Sequence, residues 1–280
     1  MSIESLAREF EQQRATAFDL EPGPEAALRE VRIVAEGDSW FDYFPAYDVL
    51  ATLRHRRWED RKYKVFDRAD AGALLNDMVY GRDMVDTFQL ITEHRPEAFL
   101  FSGGGNDIAG QELFVLLYHR KAVELHGALP RINASILRGL VYEVFERSYR
   151  DMIELVRWKA TEVGLGNLPI VLHGYGYAIP DGRGWAGGWG PLPGPWLDPS
   201  LTRKGYDRQT HAAIRREIVR ELIDAFNDMQ KAVASSYPAV HHVDLRGVLD
   251  DSDWGNELHP TEDGFRKATR RIEETIRSVT

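Results

Sequence analysis

Three separated stretches carry residue types that together could perform acyl-transfer chemistry. Ser39 follows a β-branched run, Val31-Arg32-Ile33-Val34-Ala35-Glu36, and closes the tripeptide Gly37-Asp38-Ser39. A run of that kind stopping at a glycine turn reads as a buried strand, and a serine held there faces the crevice where open α/β sheets place their chemistry. Phe99-Leu100-Phe101-Ser102 ends in the same way, in Gly103-Gly104-Gly105-Asn106-Asp107. Glycines let backbone N–H groups approach a ligand, and the Asn106 amide adds a side-chain donor. Near the C-terminus stands Trp254-Gly255-Asn256-Glu257-Leu258-His259-Pro260-Thr261. Hydrolysis through a serine needs a base within hydrogen-bond reach, a group orienting that base, and donors for the developing oxyanion. Taken singly, Gly-Asp-Ser is an ordinary turn and His-Pro-Thr an ordinary helix start. Taken together they supply every ingredient, each in its own loop.

From about residue 31 to the end, this arrangement resembles the SGNH, or GDSL-type, serine hydrolases, with four blocks in the family's order. Gly37-Asp38-Ser39 looks like the block carrying the nucleophile, and Gly72 in Ala69-Asp70-Ala71-Gly72 like the glycine whose N–H joins the oxyanion hole. Gly104-Gly105-Asn106-Asp107 resembles the block whose asparagine is a further oxyanion donor, and His259 the histidine of the last block. The resemblance implies Ser39, His259 and position 256 as catalytic, and Ser39, Gly72 and Asn106 as the oxyanion hole. It implies no cofactor and no metal. One position departs: three residues before His259 stands Asn256, where the family has aspartate. An asparagine carbonyl can hold the imidazole, but brings no charge to stabilise an imidazolium. Either Asn256 orients a working base, or Glu257, Asp253 or Asp244 substitutes, or hydrolysis has been lost; the first is preferred.

The elements that must position these residues follow from periodicity. Strands are expected at about 31–36, 62–67, 99–102, 169–172 and 242–245, alternating with helices. Asp38 and Ser39 are expected to cap the helix after Pro45, and Thr261 a last helix bearing Phe265, Ala268, Ile272 and Ile276 on one face. Residues 111–164 read as helical almost throughout. Strands alternating with helices argue for a parallel sheet covered on both faces. The expected fold is α/β, a three-layer α/β/α domain with a five-stranded parallel sheet in the flavodoxin-like order 2-1-3-4-5. One domain over residues 1–280 is expected, with a helical arm at 1–30. Residues 181–200 place three tryptophans among glycines and prolines, a composition that forms no regular element; they are expected at the catalytic edge. Asp38 and Asp107 are expected to anchor loops, and His173, His241 and His242 to be structural.

Composition narrows the function. The chain has 280 residues, 43% hydrophobic and 28% charged, within the range of globular proteins. Net charge is −9 without a Lys/Arg-rich run, which argues against nucleic acid and anionic membrane as partners. With no cysteine, thiol catalysis and thiolate metal sites are excluded. No stretch approaches the roughly 18 apolar residues of a membrane span. The first residues carry acids and lack an apolar signal core, so the cytoplasm is the expected compartment. Zincin, P-loop and dinucleotide spacings are all missing. The expected activity is cleavage of a small-molecule acyl ester through an acyl-enzyme on Ser39. Acyl transfer by the same nucleophile and non-catalytic ligand binding are the alternatives.

Overall fold

The computed structural model describes residues 28–44, 47–56, 58–127, 129–185 and 193–280. The expected arm at 1–30 lies almost wholly outside the described residues, as does the middle of the tryptophan-rich segment.

The β-branched and aromatic runs become five strands: β1 (Arg29–Gly37), β2 (Arg61–Asp67), β3 (Ala98–Ser102), β4 (Ile170–His173) and β5 (Val240–Val243). They form one parallel sheet in the order β2-β1-β3-β4-β5, as expected. Register pairs Ile33 with Ala98 and Gly37 with Ser102 across β1 and β3, so the strands carrying Ser39 and Asn106 end side by side. Val31, Ile33, Val34 and Ala35 are fully buried. A strand covered on both faces needs a continuous apolar run rather than an alternating one, and β1 supplies it.

One face of the sheet is covered by α1 (Val49–His55) and α10 (Glu262–Val279). On the other face lie α2 (Leu75–Tyr80), α3 (Arg82–His94), α7 (Glu146–Glu162) and α9 (Ala212–Ser235). Thr261 caps α10 as expected, its hydroxyl accepting the Gly264 N–H at 3.1 Å. Among the described residues no helix is long and apolar enough to cross a membrane.

Two expectations are corrected. Asp38 and Ser39 cap no helix: α1 begins ten residues later, and Asp48 caps it by accepting the Ala51 N–H at 2.7 Å. The chain first buries Trp40, Phe41 and Tyr43, and the Asp38 carboxylate is engaged elsewhere. Residues 111–164 are also less helical than their periodicity suggests. After α4 (Gln111–Leu116), Leu117 pairs with Ile132 as an antiparallel bridge, and α5 (Arg120–His126) lies within the excursion. Helix resumes as α6 (Ala134–Arg138), continues through a π-helical turn over Gly139–Phe145 and runs on into α7. A non-local strand contact overrides local propensity there.

Candidate active site

Ser39 sits in a single tight turn beyond the carboxyl end of β1, closed by the Phe41 and Asp42 N–H groups donating to the Asp38 carbonyl. Asp38 fixes the turn from inside. Its carboxylate accepts from the Trp40 N–H (3.0 Å), the Ser102 hydroxyl (3.0 Å) and the Tyr175 hydroxyl, tying the ends of β1, β3 and β4 together. Trp40 then packs its indole among His173, Tyr175, Trp254 and Phe265, with ring centroids 5.4 to 6.4 Å away. The residue after the serine is thus locked by the loop that carries the histidine.

That loop folds back on itself. Trp254 and Pro260 pair as an antiparallel bridge, and the Gly255 and Asn256 N–H groups donate to the His259 carbonyl. The closure brings His259 Nε2 to 2.7 Å from Ser39 Oγ, and Nδ1 to 3.1 Å from Asn256 Oδ1. Orientation of the amide is settled by its other partners. The Leu258 and His259 backbone N–H groups approach one amide atom at 2.9 Å each, and N–H groups only donate, so that atom is the oxygen. His259 Nδ1 must then carry its proton toward Oδ1, leaving Nε2 to accept the Ser39 hydroxyl hydrogen. The amide NH₂ donates at 2.9 Å to the Tyr43 hydroxyl.

Tyr43 is the residue of this group that sequence reasoning missed. Its ring stacks on the His259 imidazole, centroids 4.2 Å apart at 26°. Burial raises its phenol above the ordinary range, so the group stays a neutral hydroxyl. The only signal was the aromatic density of Trp40-Phe41-Asp42-Tyr43-Phe44. Burial likewise pushes the His259 pKa down to about 3, so the imidazole is neutral and able to accept a proton over the ordinary pH range.

The other acids do not orient the base. Asp253 is held by Lys267 and the Asp250 N–H, both at 2.8 Å, and Asp244 pairs with Arg246 beyond β5. Glu257 turns away from His259. Its buried carboxylate accepts the N–H groups of Gly182 (2.8 Å), Trp196 (2.8 Å), Leu197 (2.7 Å) and Asp198 (3.2 Å), clasping both sides of the tryptophan-rich segment. Burial raises its pKa, and the four N–H bonds oppose that shift.

Ser39, Gly72 and Asn106 all line one opening with His259. The N–H groups of Ser39 and Gly72 are engaged by no other described residue. Gly72 has φ +93°, a conformation that disfavours any side chain although the space beside it is empty. The Asn106 NH₂ donates one hydrogen to the Ala73 carbonyl at 3.0 Å, which leaves its second for a ligand. Gly104, at φ +103°, brings the strand end within 2.8 Å of the Phe226 ring for any added Cβ. Asp107 accepts the Leu75 N–H at 3.1 Å and its own backbone N–H, so it holds the neighbouring loop at the start of α2 as well as its own. Burial pushes its carboxyl up to about 6. His173 is buried at the end of β4 and His242 half-buried within β5, and desolvation lowers both pKa values. Among the described residues no group of three or more His, Cys, Asp or Glu side chains could hold a metal ion.

The architecture is that of known lipases and esterases. A lipase from a goat rumen metagenome superposes with TM-score 0.55 and 13% identity, over 87% of this chain and 96% of that one. A gut microbial diltiazem-metabolizing enzyme gives TM-score 0.52 and 12% identity, over 91% of this chain and 48% of that one. The family 3 carbohydrate esterase of Clostridium thermocellum gives 0.48 and 13%, over 90% and 98%. The chain therefore shares its three-layer α/β/α fold with the first two of these structures. No protein-family model and no curated protein sequence matches it.

Proposed function

We propose that the protein is a serine-dependent ester hydrolase working through an acyl-enzyme on Ser39. The observation that carries this reading is the unbroken hydrogen-bonded line Ser39 Oγ, His259 Nε2, His259 Nδ1, Asn256 Oδ1, at an opening that Ser39, Gly72 and Asn106 also line. In the first step Ser39 Oγ bonds to the ester carbonyl carbon as its proton passes to His259 Nε2. The carbonyl oxygen takes up negative charge facing the N–H groups of Ser39 and Gly72 and the Asn106 amide. Such donors act on charge present only in the transition state. His259 then gives its proton to the leaving alcohol oxygen as the C–O bond breaks, and water repeats the sequence to release the acid. Asn256 keeps the imidazole in the required tautomer. Tyr43 presents the negative face of its ring to the imidazolium that forms, an attraction of about 0.5–2 kcal/mol for a cation over an aromatic ring. The neighbours named lipase and carbohydrate esterase are consistent with an ester substrate.

The test is hydrolysis of p-nitrophenyl acetate by the protein and by Ser39→Ala, with a fluorophosphonate label mapped by mass spectrometry. Activity lost in Ser39→Ala and label on Ser39 support the reading. Equal rates for the two proteins, or label on another serine, overturn it.

A further inference from the structure

Two cavities of opposite character meet at the reacting atoms. Ser39, Asn106 and His259 line both. The first is narrow, about 70 Å³, and runs inward between the triple-glycine loop and α9. Its walls include Ala109, Leu197, Val219, Leu222 and Ile223, of which the first four are buried. Its innermost polar groups, Asp38 and the Tyr175 hydroxyl, are bonded to each other. The second is wide, about 500 Å³, and its walls are aromatic: Tyr43, Phe44, Trp185 and Trp196. Phe44 is 46% exposed, so this cavity opens to solvent.

Resting on the hydrolase reading above, we infer that the narrow cavity takes the acyl chain of the substrate and the wide one its alcohol, making the substrate a short-chain aliphatic ester of a bulky, ring-bearing alcohol. The tetrahedral carbon on Ser39 Oγ carries two arms, the acyl chain and the leaving oxygen, and these diverge as the two cavities do. The order of events decides which arm goes where. The alcohol must depart while the acyl group stays bound, and water must then reach the same carbon. Departure and water entry are served by the wide cavity, so the narrow one retains the acyl chain. Size sets the length. The narrow cavity, at about 70 Å³ against about 500 Å³ for the wide one, favours a short chain over a long one. Polarity sets the chemistry. The apolar walls and the mutually bonded Asp38 and Tyr175 disfavour a charged acyl group. Indole and phenol faces on the open side suit stacking on a planar aromatic ring or the apolar face of a sugar.

The test is a series of p-nitrophenyl esters from acetyl to decanoyl, followed by 1-naphthyl and methyl butanoate. The wild type is expected to lose at least about tenfold in kcat/KM between butanoyl and octanoyl, whereas an unrestricted apolar site would gain with each added methylene. Ile223→Ala removes three carbons from the narrow wall and should raise the octanoyl-to-acetyl ratio, and Val219→Ala should do so more weakly. Trp185→Ala should lower the naphthyl-to-methyl ratio by raising KM for the naphthyl ester. An octanoyl ester turned over as fast as butanoyl, or a ratio unmoved by both wall variants, overturns the acyl assignment while Ser39 labelling still stands. An unmoved naphthyl-to-methyl ratio in Trp185→Ala overturns the alcohol assignment. If the wild type matches Ser39→Ala on every ester, the hydrolase reading itself fails. The cavity is then read without turnover, by quenching of the Trp40 and Trp254 fluorescence on titration with butanoate and octanoate. Tighter butanoate supports the size argument, and tighter octanoate overturns it.

Discussion

Asn256→Asp restores the charge that the site lacks, and its consequence can be worked out from the geometry. Burial alone pushes the wild-type His259 pKa down to about 3, so kcat/KM should stay flat as pH falls to about 4. A carboxylate at position 256 would occupy the place of the amide, 3.1 Å from Nδ1. Opposite unit charges about 4 Å apart at an effective dielectric of about 20 attract by about 4 kcal/mol, or about three pK units. The new charge is itself buried, which reduces that figure. Its own donors are already in place, however: the Leu258 and His259 N–H groups at 2.9 Å, and the Tyr43 hydroxyl, which can turn from acceptor to donor. A net rise of about two units is expected, moving the acid limb of kcat/KM up by about two pH units. With half of the attraction realised in the transition state, kcat/KM rises about 10- to 100-fold at neutral pH. The assay is kcat/KM for p-nitrophenyl butanoate from about pH 4 to 9, read at a pH-independent wavelength. An acid limb at the same pH in both proteins would refute the reasoning, because position 256 would then not face the imidazole. A wild-type limb already near the ordinary histidine value would refute the burial argument.

Other outcomes follow from the same contacts. Asn106→Ala should lower kcat/KM about 100- to 1,000-fold with little change in KM, since an oxyanion donor acts in the transition state; unchanged kcat would remove Asn106 from the hole. Glu257→Gln replaces one carboxylate oxygen by an NH₂ and sets it against at least two of the four backbone N–H donors, so a raised KM and a lower melting temperature are expected; an unaltered KM for the naphthyl ester would show that the segment stays in place without the carboxylate. Tyr43→Leu removes the ring under His259 and should lower kcat about 3- to 30-fold, whereas Tyr43→Phe, which keeps the ring, should recover most of that loss. Glu36 is fully buried against the Thr87 hydroxyl and the Gly37 N–H, and burial pushes its carboxyl up to about 8. Its folded pKa is raised above the unfolded value, so its contribution is fully present below about pH 4.5 and lost as pH rises through about 8. Glu36→Gln should therefore gain on the wild type by up to about 4 kcal/mol as pH rises over that window, measured by urea unfolding; a pH-independent difference would sink the claim.

The parts of the site that were legible in the sequence are those written in local pattern. A β-branched run stopping at Gly37, a second run stopping at three glycines and a capped C-terminal helix each declare themselves within ten residues. Alternation of strands and helices implied a parallel sheet, the resemblance implied its order, and both put the loops after the strands carrying Ser39 and Asn106 on one edge. What remained hidden depends on distance in the chain. Tyr43 and Asn256 are 213 positions apart, and nothing local says that a phenol will receive the amide. Glu257 looked like a spare acid beside a histidine. Only the folded positions of Gly182, Trp196, Leu197 and Asp198 show that its carboxylate is already engaged. Asp48, rather than Asp38 or Ser39, caps α1 because burying Trp40, Phe41 and Tyr43 postpones the helix, a demand of the core that helix propensity does not record.

The Glu257 clasp carries a consequence for how this scaffold can change. The group that fastens the wall facing the leaving alcohol sits two residues from the base, on the same short loop. Grafting a foreign wall segment would succeed only if its backbone offered donors at the same four points, or if position 257 were exchanged with it. A substitution that reshapes the loop around Glu257 therefore acts on both sides of the opening at once, on the anchored segment and on His259.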